Sequence, residues 1–150
     1  MNSLKSSSHG YGQLVYHFEW CPKYRYRVFG KPENRKLCEQ VLWEVAERYG
    51  ITIRELAVMP DHIHVAVDIP PDMSVSRAFQ LLKGASSYEL FRRQPKFRLR
   101  YPHGHFWSRG KFYRSVGDVD LERTTNYIKE QRESYQTNLG NFSHLGSHTL

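Results

Sequence analysis

The sequence predicts an α+β domain: an antiparallel sheet of four strands with two helices packed on it, followed by one further helix. Three observations carry that expectation. Apolar periodicity switches between two and about 3.6 residues along the chain, in the order β-α-β-β-α-β-α. Turn-forming residues fall between the periodic segments. The length of 150 residues supports one hydrophobic core. That element order is the ferredoxin-like or RRM-like sandwich with a C-terminal helix added.

Each element has its own warrant. Residues 13–20 alternate Leu14, Tyr16, Phe18 and Trp20 against Val15, His17 and Glu19, a first strand. Pro32 opens a helix whose buried stripe is Leu37, Val41, Leu42 and Val45, and Gly50 ends it. Residues 51–58 form a second strand, and Pro60-Asp61 turns it into a third, over His62 to Asp68. Pro70-Pro71 stops that strand, and Ser74 caps a second helix running to about Arg93, with Val75, Phe79 and Leu82 inward. Residues 94–104 are basic, with Pro and aromatic residues, and read as a loop or hairpin. A last strand is expected over 106–116, and Asp118 is expected to cap a last helix over about 119–135. Residues 1–10 and 139–150 are polar and read as tails around a single domain, 11–138.

Composition narrows the function classes. A hydrophobic fraction of 39% and an aromatic fraction of 14% describe a folded chain. The net charge of +7, together with ten tyrosines and eight phenylalanines, points to a polyanionic partner. Cys21 and Cys38 have neither metal-ligand nor redox spacing and read as reduced thiols. With no signal-peptide pattern or membrane-length apolar run, the expected setting is cytoplasmic, with no membrane partner.

The most informative pattern is His62-Ile63-His64. Strand alternation turns Ile63, Val65 and Val67 one way and both imidazoles the other, followed there by small Ala66, which leaves room beside them. The pair suits one divalent ion; it equally suits a polar outer face. On the last helix, Tyr127 and Gln131 are four apart and share a face, while Leu121, Ile128 and Tyr135 form a narrow apolar seam. Docked over the histidine face, Gln131 would add its side-chain oxygen as a third ligand and Tyr127 would stand one turn away. A tyrosine beside a metal-bound phosphodiester can act as nucleophile, although its free pKa of ~10 calls for activation. The product, a 5′-phosphotyrosine with a free 3′-hydroxyl, retains the bond energy. No nucleotide cofactor is then needed, in line with the lack of a P-loop-type glycine motif.

Four motifs complete the pattern: Trp20-Cys21-Pro22-Lys23-Tyr24-Arg25, Met59-Pro60-Asp61-His62-Ile63-His64, Lys83-Gly84-Ala85-Ser86-Ser87 and Asn126-Tyr127-Ile128-Lys129-Glu130-Gln131. In these residues and their order the chain resembles the HUH single-tyrosine transposases of insertion sequences that move as single-stranded DNA. The resemblance implies that His62, His64 and Gln131 hold a divalent ion, Mg²⁺ or Mn²⁺, and that Tyr127 is the nucleophile. It also implies recognition of single-stranded DNA hairpins at the element ends, and a homodimer in which the tyrosine helix can be exchanged between subunits. As a prokaryotic DNA enzyme it would be nucleoid-associated.

Candidate DNA contacts follow from charge. Lys23, Arg25 and Arg27 alternate with Tyr24 and Tyr26, and an extended segment would place cations on one side and stacking rings on the other. Arg92, Arg93, Lys96, Arg98 and Arg100 form a second basic run suited to the phosphates of a hairpin stem, and Lys83 belongs to the third motif. Lys111 and Arg114 flank Phe112 and Tyr113 as weaker candidates. Asp61 supports the histidines or merely serves its turn, and the turn is the simpler reading. Two alternatives stay open: a domesticated relative that processes repeated palindromic elements, and a non-catalytic RRM-like module that binds nucleic acid through sheet-face aromatics.

Overall fold

The computed structural model describes residues 15–144, apart from the side chains of 118–119 and 137–144. The tail expected over 1–10, the first two residues of the expected first strand, the capping side chain of Asp118 and residues 145–150 therefore lie outside the described residues. The elements are β1 (Val15–Trp20), α1 (Pro32–Arg48), β2 (Thr52–Met59), β3 (His62–Asp68), α2 (Val75–Arg93), α3 (Phe97–Arg100), β4 (Phe112–Ser115) and α4 (Asp118–His144). The sheet runs β2-β3-β1-β4, antiparallel throughout, the order of the ferredoxin-like sandwich.

Local chemistry explains the boundaries. Pro32 stands at the start of α1, where a missing N–H costs nothing, and Gly50 at φ 73° supplies the left-handed turn after its end. The Ser74 hydroxyl accepts from the Arg77 amide at 3.0 Å and caps α2. Pro60 and Asp61 join β2 to β3 as a two-residue connection, with Met59 opposite His62. Between Ile53 and Glu55 the register shifts, so Leu56 and Val58 keep the core side after the irregularity.

One face of the sheet builds the main core. Phe18 and Trp20, Ile53, Leu56 and Val58, and Ile63, Val65 and Val67 meet Val41, Leu42 and Val45 of α1 and Phe79, Leu82 and Leu90 of α2. The Phe18 and Phe79 rings stack at 3.9 Å between centroids. The strand expected over 106–116 is shorter than its alternation suggested, because Phe106 and Trp107 leave the sheet edge for this core. Trp107 donates its ring N–H to Ser86 and meets Trp20 edge-on, while Phe97 of α3 packs on Phe106. The basic segment 94–104 thus contains a short helix instead of a hairpin.

α4 crosses the opposite face, and continues beyond the seam that marked it in the sequence. Ile128 is fully buried against Ala57 and Ala66, with Met59 beside it. The space beside Ala66, expected to remain open next to the histidines, is filled by this side chain. Leu121 is only half-buried, and Thr124 is the buried residue one turn before Ile128. Arg132 pairs with Glu55 at 2.9 Å and with the Leu56 carbonyl at 3.1 Å, and the Tyr135 hydroxyl donates to the Phe29 carbonyl. Replacing Ile128 by Ala empties the centre of this contact. Urea unfolding of Ile128→Ala is expected to show a loss of about 2–5 kcal/mol with little change in m-value; an unchanged midpoint would show that α4 is held elsewhere.

Candidate active site

His62 and His64 project from the face of β3 that α4 covers. Their Nε2 atoms are 3.1 Å apart. Two ligands at right angles around a divalent ion, each at ~2.1 Å, stand about 3.0 Å from one another, so the donor spacing already fits. Asp61 Oδ1 lies 2.7 Å from His62 Nδ1, and Arg25 donates from Nε to Asp61 Oδ2 at 3.1 Å.

The adjacent strand adds two residues that sequence reasoning did not select. Pairing of β1 with β3 sets Glu19 opposite His64 and His17 opposite Ala66. His64 Nδ1 is then 3.3 Å from His17 Nε2 and 3.4 Å from Glu19 Oε2. The ligand atoms of His17, Glu19 and His64 all lie within 4.8 Å of one another, as a metal-holding group requires. The alternation of the first strand had placed both residues on the side away from Phe18, and that was the available signal. What a single sequence lacks is the register that carries them to His64.

Burial sets the charge state. His17 and His64 are each 4% exposed. Burial, assisted by the charges of His62 and His17, lowers His64 to about 4. Burial, then Arg114, lowers His17 to about 4. Both are therefore neutral imidazoles near pH 7, the form that binds metal. Glu19 is raised by burial, against the pull of His62, Arg25 and Arg114. Burial also pushes Asp61 upward, but its bonds to His62 and Arg25 prevail and hold it below the usual range. His17 Nδ1 is buried without a hydrogen-bond partner, so this group has donor capacity to spare.

Tyr127 reaches this cluster from α4 of the same chain. Its ring centroid lies 5.7 Å from that of His64 and 6.3 Å from that of His17, edge-on to both. It remains 45% exposed, while its neighbour Ile128 is buried. Gln131 is half-buried one turn later, and no hydrogen bond joins it to either imidazole.

The basic candidates separate by environment. Lys23–Arg25 is not extended: it forms a 3-10 turn with Tyr24 at φ 62° and Arg25 at φ 53°, so cations and rings do not alternate on two sides. The tyrosines instead follow one another, Tyr24 to Tyr26 at 5.3 Å and Tyr26 to Tyr101 at 5.6 Å, with Arg100 over Tyr26. Arg27 is exposed. Lys83 is half-buried, gives its ammonium to the Ser108 carbonyl at 2.8 Å, and so pins the loop after Trp107. Arg93 is held between Glu44 and Glu89, whereas Arg92 pairs with Glu89 but stays largely exposed. Lys96, Arg98 and Arg100 are exposed around α3. Arg92 and Arg98 also line, with Gly84, Tyr88, Phe91 and Gly104, a shallow cavity of about 350 Å³.

With this geometry established, comparison with known proteins is decisive. The model of the family described as "Transposase IS200 like" matches residues 11–131. The chain belongs to the IS200-like transposase family. It is 35% identical over 133 residues to the transposase for insertion sequence element IS200 of Salmonella typhimurium, covering 89% of this chain and 86% of that one. It is 28% identical over 121 residues to the ISDra2 transposase TnpA of Deinococcus radiodurans, covering 81% and 86%. A crystal structure of a putative transposase from Deinococcus radiodurans superposes with a TM-score of 0.69 at 26% identity, over 88% of this chain and 98% of that chain. A REP-associated tyrosine transposase bound to a REP hairpin shares the fold, with a TM-score of 0.56 at 14% identity over 78% and 65%. The family is that of the HUH single-tyrosine transposases, as the four motifs implied. Among the described residues no helix is long and apolar enough to cross a membrane.

The lowered histidines make stability pH-dependent. Between the unfolded value of 6.5 and the folded value of about 4, the unfolded chain binds more protons, so stability rises with pH in that window. The contribution is fully present above ~6.5 and is lost as pH falls to about 4; it amounts to on the order of 3 kcal/mol per histidine. Thermal melts in chelator should show this slope, and His17→Gln should roughly halve it.

Proposed function

We propose that this transposase cleaves and rejoins single-stranded DNA at insertion-sequence ends through a 5′-phosphotyrosine on Tyr127, with a divalent ion held by His62 and His64. The observation that supports the reading is the position of the Tyr127 ring 5.7 Å from that of His64, whose Nε2 stands 3.1 Å from His62 Nε2. Gln131 is the proposed third ligand, one turn from Tyr127 on the same helix. A divalent ion bound there, Mg²⁺ or Mn²⁺, would supply positive charge to the scissile phosphate as a Lewis acid.

The chain's own residues do the rest. The Tyr127 hydroxyl gives up its proton as its oxygen bonds to phosphorus, the P–O3′ bond breaks, and the departing 3′ oxygen takes up a proton, so no net proton is gained or lost. Exchange of one phosphodiester for another conserves energy, so a later 3′-hydroxyl reverses the step without a nucleotide cofactor. Exposure of Tyr127 suits a nucleophile that must meet a polymer, and α4 screens the histidines from competing water. Hairpin phosphates are assigned to the exposed cations Arg92, Lys96, Arg98 and Arg100, and unpaired bases to the tyrosines near Lys23, Arg25 and Arg27. An RRM-like reader needs an open sheet face, and here α4 covers the β2 and β3 side of that face.

Incubation with labelled single-stranded hairpin DNA should give a covalent adduct on denaturing gels. The adduct should need a divalent ion and disappear in Tyr127→Phe and His64→Ala; survival in Tyr127→Phe refutes the nucleophile. The proposed homodimer exchanges α4 between subunits by re-forming the Ile128, Arg132 and Tyr135 contacts in trans. Mixed Tyr127→Phe and His64→Ala proteins should then recover cleavage, since one composite site is intact. A mixture as inactive as its components means that α4 acts on its own sheet.

A further inference from the structure

Two of the four sequence motifs meet at Asp61, and the proposed chemistry gives that meeting no role. We propose that Arg25 and Asp61 are positioning residues that hold His62 in its metal-binding tautomer and orientation. The inference rests on His62 and His64 being the ligands. A carboxylate oxygen only accepts hydrogen bonds and a guanidinium only donates them. Arg25 Nε occupies Asp61 Oδ2 at 3.1 Å, leaving Oδ1 to face His62 Nδ1 at 2.7 Å. The hydrogen on His62 therefore sits on Nδ1, and the Nε2 lone pair is directed toward His64 Nε2, 3.1 Å away. This is the carboxylate–histidine–metal arrangement, in which the outer partner fixes the ring.

Arg25 arrives there by an unusual backbone. Tyr24 at φ 62° and Arg25 at φ 53° are consecutive non-glycine residues in the left-handed region. Each such residue costs about 1–2 kcal/mol and persists where its surroundings fix it. The turn is fixed at both ends: the Lys23 amide donates to the Phe106 carbonyl, the Arg25 amide to the Pro22 carbonyl, and the Tyr101 hydroxyl to the Lys23 carbonyl, each at 2.8 Å. The Arg25 side chain is 62% exposed, and an ion pair so placed adds little to stability. Its consequence is local, at the next residue along the relay.

The test uses the full chain without DNA. Mn²⁺ affinity is measured by calorimetry for wild type, His62→Ala, Asp61→Ala, Asp61→Asn, Arg25→Ala and Arg25→Ala/Asp61→Ala, with urea midpoints and chelated hairpin-DNA binding alongside. Asp61→Ala should weaken Mn²⁺ binding about 10–100-fold. Asp61→Asn should weaken it less, because the amide oxygen still accepts from Nδ1. Arg25→Ala should weaken it a few-fold and add nothing to Asp61→Ala, since it acts through that residue. Urea midpoints and DNA binding of the Asp61 variants should stay near wild type. Unchanged Mn²⁺ affinity in Asp61→Ala overturns the proposal, as does an additive double variant. If Mn²⁺ binding survives His62→Ala, or is absent from wild type, the metal-site reading itself has failed and the relay falls with it. Loss in His62→Ala without loss in Asp61→Ala sinks the relay alone.

Discussion

Packing of Ile128 into the shallow floor of Ala57 and Ala66 governs the rest of this site. Two alanines placed diagonally on the neighbouring strands β2 and β3 let a helix approach closer than larger residues would, and a β-branched side chain fills the gap. Tyr127 is adjacent to Ile128 in sequence, so about 100° around the helix it faces along the sheet toward the histidines instead of into it. Burying one residue and exposing its neighbour is what sets the candidate nucleophile at the cluster's edge. Arg132 and Tyr135, one and two turns on, stop the helix from rolling about that point.

The same covering helix sets the electrostatics. The Tyr127 ring of α4 lies edge-on to both His17 and His64 and adds to their burial. Under it they lose water and stay neutral through the physiological range. Glu19 and Asp61 stand on either side of the histidine pair, one beside His64 Nδ1 and one on His62 Nδ1. Both Nε2 atoms are thereby left facing a common point. Arg25 and Arg114 border this region, and further cations stand on α3 and at the end of α2.

Much of the fold was legible because its causes are local. Alternation marked β1 and β3, Pro60-Asp61 marked the hairpin, and Ser74, Pro32 and Gly50 marked helix ends through backbone requirements that one or two residues express. His62 and His64 were legible for the same reason, as were Tyr127 and Gln131 at helical spacing. The strand over 106–116 was overread because alternation of aromatic residues looks alike whether the rings line a sheet or dive into a core. His17 and Glu19 were passed over because nothing within β1 states which strand lies beside it. Lys83 illustrates the converse: its charge is visible in sequence, but its use on two loop carbonyls depends on where Trp107 settles.

By itself, then, the sequence determined the element order, the two faces of each strand and the motif residues, since each depends on bonds and turns within a few neighbours. Only the tertiary structure decided that α4 packs over β2 and β3, that β1 contributes His17 and Glu19, and that Arg25 reaches Asp61 across 36 positions of chain. Those outcomes depend on register and on which surfaces exclude water together. They are properties of pairs of distant segments, and no single stretch of the chain encodes them.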